Sequence, residues 1–215
     1  MNPENYIKEA VAASARPIVF EVGAAKLEDT PKILELIVGE GKPYDYYAFE
    51  PDPRNLEFAR ASRVYPLINL VATAVGNTVG HASFNQSSGK NPTYGYDHTL
   101  SGSLKKPKRH LEAHPWCRFD TAIQVRSMTL DAFAQLYSIP HIDFIWCDVQ
   151  GAEDLVVEGA QKILTHTRFL YTEYYEIEMY EGQIGIQEIL KRLPGTWVVQ
   201  EVWPNDVIFK NLRFR

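Results

Sequence analysis

Four short stretches carry residue types that could do chemistry. They are Glu21-Val22-Gly23-Ala24-Ala25, Glu50-Pro51, Ala74-Val75-Gly76, and Asp148 to Glu153. Each begins at or near the point where an apolar run stops. A glycine at such a place leaves room for a ligand to approach the backbone. A carboxylate at the end of the following run can accept hydrogen bonds from both hydroxyls of a ribose, as an acid does at the second strand of dinucleotide folds. Glu50 follows Gly23 by 27 residues. A turn glycine and a solvated glutamate would explain either residue alone, but the pair at this spacing predicts a ribose-containing cofactor. A second chemistry is proton removal, for which Asp148, Glu173, His98, His110 and His114 are candidates. Asp148 could instead only orient a ligand. Asp148, Glu153 and Glu173 could also surround a divalent cation as hard oxygen donors, although capping of a helix N-terminus explains Glu153 more simply.

Those residues need elements to hold them. Residues 4–14 read as a helix with Tyr6, Ile7, Ala10 and Val11 on one face, ended by Arg16-Pro17. Ile18–Val22 is continuously apolar save for Glu21, the pattern of a strand buried on both faces of a parallel sheet. Thr30 as N-cap and Pro31 as first helical residue open a helix that ends at Gly39 and Gly41. A strand Tyr44–Phe49, a helix from about Arg54 to Ser62 and a strand Leu67–Val75 follow. Alternation over 81–85 predicts a short strand or hairpin, and 86–119 reads as an irregular lid or substrate-binding insertion. A regular segment at Ala122–Val125, a helix 130–137, strand Ile142–Cys147, helix 153–165, strand 168–174, helix 184–193 and strands 197–202 and 206–210 complete the chain. Alternating strands and helices predict a single α/β domain over 1–215, doubly wound around a mostly parallel sheet. The turn at Pro204-Asn205-Asp206 predicts an antiparallel C-terminal hairpin.

Composition narrows the partners. The net charge of −5, with 45% hydrophobic and 23% charged residues, is that of an ordinary globular chain and argues against a nucleic-acid binder. One basic cluster, Lys105, Lys106, Lys108, Arg109 and His110, reads as a solvated loop, with a patch for an anionic substrate as its alternative. Cys117 and Cys147 form no C-x-x-C pair, so no zinc site is expected, and Cys147 is expected to pack in an apolar run. The N-terminus lacks a basic and apolar leader, and no stretch approaches the ~20 apolar residues of a membrane span, so a cytoplasmic protein is expected.

The choice of cofactor turns on charge. A dinucleotide site wants G-x-G-x-x-G leading into a helix whose N-terminus holds the pyrophosphate. Here Gly23 is followed by Ala24-Ala25-Lys26-Leu27-Glu28-Asp29, so the later glycines are missing and two acids would repel a pyrophosphate. S-adenosylmethionine has no phosphate and carries a sulfonium cation, which an acidic rim tolerates.

Three stretches resemble the FkbM family of methyltransferases, within the Rossmann-like class I methyltransferase superfamily. They are Val19-Phe20-Glu21-Val22-Gly23-Ala24, Phe49-Glu50-Pro51-Asp52-Pro53, and Asp148-Val149-Gln150-Gly151-Ala152-Glu153 followed by Gly159-Ala160. Thr129-Leu130-Asp131 and Ser101-Gly102-Ser103-Leu104 also fit, and the likeness runs from about residue 18 to 176. It implies a cofactor-contacting set of Glu21, Gly23, Ala24, Ala25, Glu50, Pro51, Ala74, Val75, Ser103 and Asp148. Within it the Gly23 backbone meets the methionine part, Glu50 the ribose and Ala74-Val75 the adenine, with Asp148 beside the transferring methyl. The family commonly reads Asp-Val-Gly-Ala-Asn-x-Gly, whereas this chain has Glu21, Ala25 and Leu27 at the altered places. The resemblance implies S-adenosylmethionine-dependent methylation, with O-methylation of a small-molecule or glycan hydroxyl as the leading reading; for the proton removal that this needs, Asp148, Glu173 and His98 are the catalytic candidates taken from the residues themselves. A non-catalytic module that binds a nucleotide or a protein is the runner-up, favoured by the altered motif, and a nicotinamide-dependent oxidoreductase is third. Tyr94, Tyr96, Tyr171, Tyr174, Tyr175 and Tyr180 are candidates to line a pocket for a sugar or phenol, led by the Tyr94-Gly95-Tyr96 loop.

Overall fold

The two most apolar runs become the two central strands. β1 (Ile18–Val22) and β7 (Ile142–Cys147) are buried at every position. The computed structural model describes residues 3–93, 95 and 97–214. In it a seven-stranded sheet has the order β3-β2-β1-β7-β8-β10-β9. Its other members are β2 (Asp45–Phe49), β3 (Asn69–Val71), β8 (Thr167–Glu173), β9 (Trp197–Val202) and β10 (Asp206–Asn211). The five strands from β3 to β8 pair in parallel, and β10 runs antiparallel to both β8 and β9. This is the mostly parallel α/β sheet with an antiparallel C-terminal pair that the sequence predicts.

Alternate residues of the strands face two helical layers. Phe20 and Val22 pack with Leu130, Phe133, Val156 and Ile189, from α5 (Leu130–Leu136), α6 (Glu153–Glu158) and α7 (Ile186–Arg192). Val19, Phe144 and Phe169 pack with Ile7, Val11, Ile33 and Ile37, from α1 (Glu4–Ala12) and α2 (Thr30–Val38). Cys147 is a buried free thiol of the first layer. Among the described residues no helix is long and apolar enough to cross a membrane.

Register decides which side chains meet. Val22 lies opposite Phe49 on one side and Cys147 on the other. Cys147 in turn pairs with Thr172, and Glu173 with Asp206. Glu50, Gly23, Asp148 and Glu173 therefore emerge side by side along one edge of the sheet. The chain order reverses between β1 and β7, the switch point where open α/β sheets bind ligands.

Several expectations need correction. The expected strand 67–75 is broken. Thr73 N–H donates to the Val71 carbonyl (2.9 Å), and the kink sends β4 (Ala74–Val75) into a second sheet of order β4-β6-β5. The short strand expected at 81–85 is the middle of β5 (Gly80–Ser88), paired antiparallel with the eleven-residue β6 (Arg118–Met128). The insertion is thus shorter than 86–119 and contains α4 (His110–Ala113). The expected helix 153–165 ends at Gly159, where a Cβ would lie 2.0 Å from the Gly76 carbonyl oxygen, and resumes as a 3-10 turn at Ile163–His166. The N-cap of α2 is Asp29 rather than Thr30, because the Thr30 hydroxyl donates to Glu21 instead.

Candidate active site

The turn after β1 is fixed by close approach. Gly23 has φ +88°, and a Cβ there would fall 1.8 Å from the Asp148 carbonyl oxygen. Only glycine permits the ends of β1 and β7 to lie so near each other. The N–H groups of Gly23 and Ala24 both donate to the Phe49 carbonyl (3.0 and 2.9 Å), tying the turn to β2. Ala25 (φ +45°) and Leu27 (φ +68°) follow, both in the left-handed region. These are the two places where the asparagine and the second glycine of the family pattern are missing, yet the backbone keeps a left-handed shape there. Leu27 is 3% exposed and packs in the α1–α2 layer. Its burial, worth ~1.5–3 kcal/mol, offsets the ~1–2 kcal/mol cost of the conformation.

Glu50 closes the turn from β2. It is 4% exposed. Its Oε2 accepts from Ala25 N–H (2.9 Å), and its Oε1 accepts from Asp52 N–H (2.7 Å) and Asn55 Nδ2 (3.3 Å). Burial pushes its carboxyl up to about 7. Asp52 caps α3 (Pro53–Ala61) by accepting from Arg54 N–H, and it also accepts from Gln86 Nε2 (2.9 Å). Asn55 donates to the Thr99 carbonyl (3.1 Å), which draws the insertion over the end of β2.

Between these ends lies a cavity of about 820 Å³ including its open mouth, within the range of small-molecule sites. Gly23, Ala24, Ala25, Glu50 and Pro51 form one side, and Ala74, Val75, Phe84, Leu100 and Leu104 an apolar side. Five carboxylates line it, those of Glu21, Glu28, Asp29, Glu50 and Asp148; among the described residues no lysine or arginine does. Glu21, expected as a cofactor contact, contributes to this wall, but its Oε2 accepts from Thr30 Oγ1 and Tyr46 OH (2.6 Å each) and holds α2 against the sheet. Ser103 is a correction. Its neighbours Gly102 and Leu104 line the cavity and it does not; it is 1% exposed, and its hydroxyl accepts from Lys105 N–H (3.0 Å).

Asp148 stands at a junction. It also lines a second chamber of about 690 Å³, which holds His98, His110, His114 and Trp116, and a recess of about 590 Å³ with Trp146, Tyr171, Glu173 and Asp206. Gln150, itself left-handed at φ +53°, binds these parts together. Its Nε2 donates to Asp148 Oδ1 (2.6 Å) and Glu173 Oε2 (3.3 Å), and its Oε1 accepts from Tyr180 OH (3.0 Å). Burial raises both carboxyls, and repulsion from Asp148 raises Glu173 further, so near neutrality the proton of the pair sits on Glu173. Glu153 does not join a metal cluster: its Oε1 accepts from Gly151 N–H (3.0 Å), and among the described residues no three acids, histidines or cysteines are placed to hold an ion.

The remaining candidates separate by place. His98 lines the second chamber rather than the cavity beside β1, and its Nε2 bonds the Ser101 hydroxyl (2.8 Å). Tyr175 and Tyr180 also face that chamber; Tyr174 instead donates to the Trp203 carbonyl (3.0 Å). Tyr94 and Tyr96 lie outside the described residues. Three members of the basic cluster pair with acids, Lys105 with Asp154, Lys108 with Glu178 and Arg109 with Glu112. Sequence reasoning gave no role to Gln150 or Trp116. Gln150 stood in a recognised motif, whereas nothing around Trp116 marked it.

A switch-point cavity, a glycine turn on β1 and a buried acid closing β2, with no lysine or arginine among the described lining residues, fit a Rossmann-like class I methyltransferase. The profile described as the methyltransferase FkbM domain matches residues 21–201. The 2-O-methyltransferase NoeI of Sinorhizobium fredii is 36% identical over 204 residues, which cover 92% of this chain and 80% of that protein. The chain belongs to the FkbM methyltransferase family. Among solved structures, the FkbM methyltransferase from Methylobacillus flagellatus is 13% identical with a TM-score of 0.52, over 91% of this chain and 44% of that one. The N-terminal domain of human METTL16 is 10% identical with a TM-score of 0.50, over 98% and 68%. Both likenesses are of fold, and the chain spans less than half the length of the solved FkbM protein.

Proposed function

We propose that this methyltransferase uses S-adenosylmethionine, held in the cavity beside β1, to methylate a hydroxyl of a small-molecule or glycan acceptor. The observation that carries the reading is the charge of the cavity: five carboxylates and no lysine or arginine among the described lining residues. A pyrophosphate would meet net negative charge there with no lining lysine or arginine to bind it, whereas a cationic, phosphate-free nucleoside is attracted. Glu50, buried with its carboxylate braced by three donors, is the acid that this reading sets against the ribose. Ala74, Val75, Phe84 and Leu104 supply an apolar bed for the adenine. The bound cofactor supplies an electrophilic methyl on its sulfonium.

The protein's own part is alignment and proton removal. In-line transfer needs acceptor and methyl held at near-attack distance, and positioning alone can supply much of the rate. Among the described residues Asp148 is the ionisable side chain that lines both the cofactor cavity and the second chamber. Gln150 holds its Oδ1, and Glu173, protonated, adds no second charge. This position supports Asp148 as the base that takes the proton of an acceptor hydroxyl as the oxygen attacks. The 2-O-methyltransferase relative supports oxygen as the acceptor atom. The test is consumption of S-adenosylmethionine in the presence of pooled polyhydroxylated acceptors, read by mass spectrometry as a product heavier by one methylene. Turnover that Asp148→Asn abolishes supports the reading. Methylation of nitrogen instead of oxygen, or binding of nicotinamide dinucleotide in preference, contradicts it.

A further inference from the structure

We infer that Asn55 is a positioning residue whose single amide ties Glu50 to the segment 98–101, so that a ribose bound at Glu50 sets the wall between the cofactor cavity and the second chamber. This role rests on the methyltransferase reading, which assigns the cavity beside β1 to S-adenosylmethionine and its ribose to Glu50. The wall is a short stretch of chain that faces both ways. Thr99 and Leu100 line the cavity, and His98, Leu100 and Ser101 line the chamber. The segment belongs to no helix or strand, so side chains from elsewhere set its place.

Asn55 holds that segment at two points. It is buried, as is Thr99. Its Nδ2 donates to Glu50 Oε1 (3.3 Å) and to the Thr99 carbonyl (3.1 Å), and its Oδ1 accepts from Thr99 Oγ1 (2.5 Å). Both amide hydrogens and the amide oxygen are therefore engaged. The amide is planar, so a turn at the Glu50 end also turns the end that grips Thr99. Among the described residues Asn55 is the side-chain donor on Glu50; Ala25 and Asp52 donate from the backbone. Asn55 also makes the longest of the three bonds, and it is the donor freest to answer a change at the carboxylate. Ribose hydroxyls that donate to Glu50 favour its ionised form, and an ionised oxygen draws Nδ2 into a charge-assisted bond.

The far side of the wall carries its own reporter. His98 Nε2 bonds the Ser101 hydroxyl (2.8 Å), and the His98 ring stands edge-to-face on Trp116 (ring centroids 4.9 Å apart, 84°). Trp116 lines the chamber and not the cavity. A movement of the segment at Thr99 therefore reaches Trp116 through Ser101 and His98. Linkage adds a second consequence: if a bound ribose steadies the wall, a steadied wall must favour the ribose by the same factor.

Adenosine and 2′,3′-dideoxyadenosine test this, because both lack the methionine arm and only the first carries the ribose hydroxyls. The Trp116 indole N–H resonance, assigned with Trp116→Phe, is followed by proton–nitrogen NMR at saturating ligand, and affinities are read by calorimetry. Adenosine is expected to shift the Trp116 resonance and dideoxyadenosine to leave it in place. Asn55→Leu is expected to abolish the shift at full adenosine occupancy. Thr99→Val, which removes only the hydroxyl bonded to Asn55, is expected to reduce the shift and to weaken adenosine by ~2- to 10-fold while leaving dideoxyadenosine affinity unchanged. Thr99→Ser restores the hydroxyl and is expected to restore both. The indole of Trp197, bonded to the Pro194 carbonyl on the edge strand β9, serves as the fold control in every variant. A Trp116 resonance that adenosine leaves unmoved, that dideoxyadenosine moves equally, or that moves as far in both Asn55→Leu and Thr99→Val overturns the inference alone. Failure of both adenosine and S-adenosylhomocysteine to bind overturns the cofactor reading and the inference with it.

Discussion

Replacing Glu50 with glutamine keeps the volume of the side chain and reverses the polarity of one of its ends. Both carboxylate oxygens accept from N–H groups: Oε2 from Ala25, Oε1 from Asp52 and Asn55. In either orientation the amide must turn its NH₂ toward a backbone N–H. One buried donor then loses its partner, at a cost of ~1–3 kcal/mol in stability. The loss in binding is larger. A carboxylate accepting from two ribose hydroxyls makes charge-assisted bonds, and glutamine keeps one acceptor and no charge. About 2–3 kcal/mol of binding is expected to go, which is ~30- to 150-fold in Kd. Calorimetric titration with S-adenosylhomocysteine reads the second figure and urea unfolding the first. Binding unchanged within about twofold, with the stability loss present, would show that the ribose does not sit at Glu50 and would refute the reasoning.

Other outcomes follow from the same geometry. Ala25→Gly relieves a left-handed alanine at a half-buried position and is expected to stabilise the chain by up to ~1 kcal/mol in urea unfolding. Leu27→Gly relieves similar strain but empties a core site, so it should destabilise by ~1–2 kcal/mol. Burial raises Asp148 to about 6, and it must be ionised to accept a proton, so kcat should rise with pH through that value. Asp148→Asn should remove the limb and cost ~10²- to 10⁴-fold. Stability has the opposite slope: Glu21, Glu50 and Glu153 are each raised from 4.5 to about 7 by burial, so the fold binds their protons more tightly than the unfolded chain. Denaturation midpoints should fall as pH rises from about 4.5 through about 7. Gln150→Ala frees Asp148, Glu173 and Tyr180 together and should lower kcat more than it raises the KM for cofactor, read in steady-state kinetics.

The strand ends were legible because the chemistry starts where burial stops. Ile18–Val22 and Ile142–Cys147 are apolar enough to be central strands, and an α/β alternation leaves one register that sets Gly23, Glu50 and Asp148 abreast. The sheet of β4, β5 and β6 was not legible at its true length. β6 is exposed at many positions, so burial leaves only a weak mark on its sequence. Ser103 shows how fine the limit is, since a shift of one residue along an extended segment turns a side chain from the cavity to the interior. Glu21 read as a ligand contact because its partner Tyr46 is 25 residues away and carries no motif. The chamber residues Trp116 and His110 reach Asp148 only through tertiary pairing. Lys108 and His110 donate backbone N–H bonds to the Met179 carbonyl (2.8 and 3.1 Å), and no local pattern announces that contact. The left-handed backbone at Ala25 and Leu27 was hidden for the converse reason, as neither side chain favours the conformation that its surroundings impose.

A crystal structure with S-adenosylhomocysteine bound tests the central claim most directly. The ribose hydroxyls are expected on the Glu50 carboxylate, the adenine against Ala74 and Val75, and the sulfur directed past Leu100 and Asp148 toward the chamber of His98, His110 and Trp116. A ligand seated elsewhere, or one whose sulfur faces away from Asp148, would contradict it.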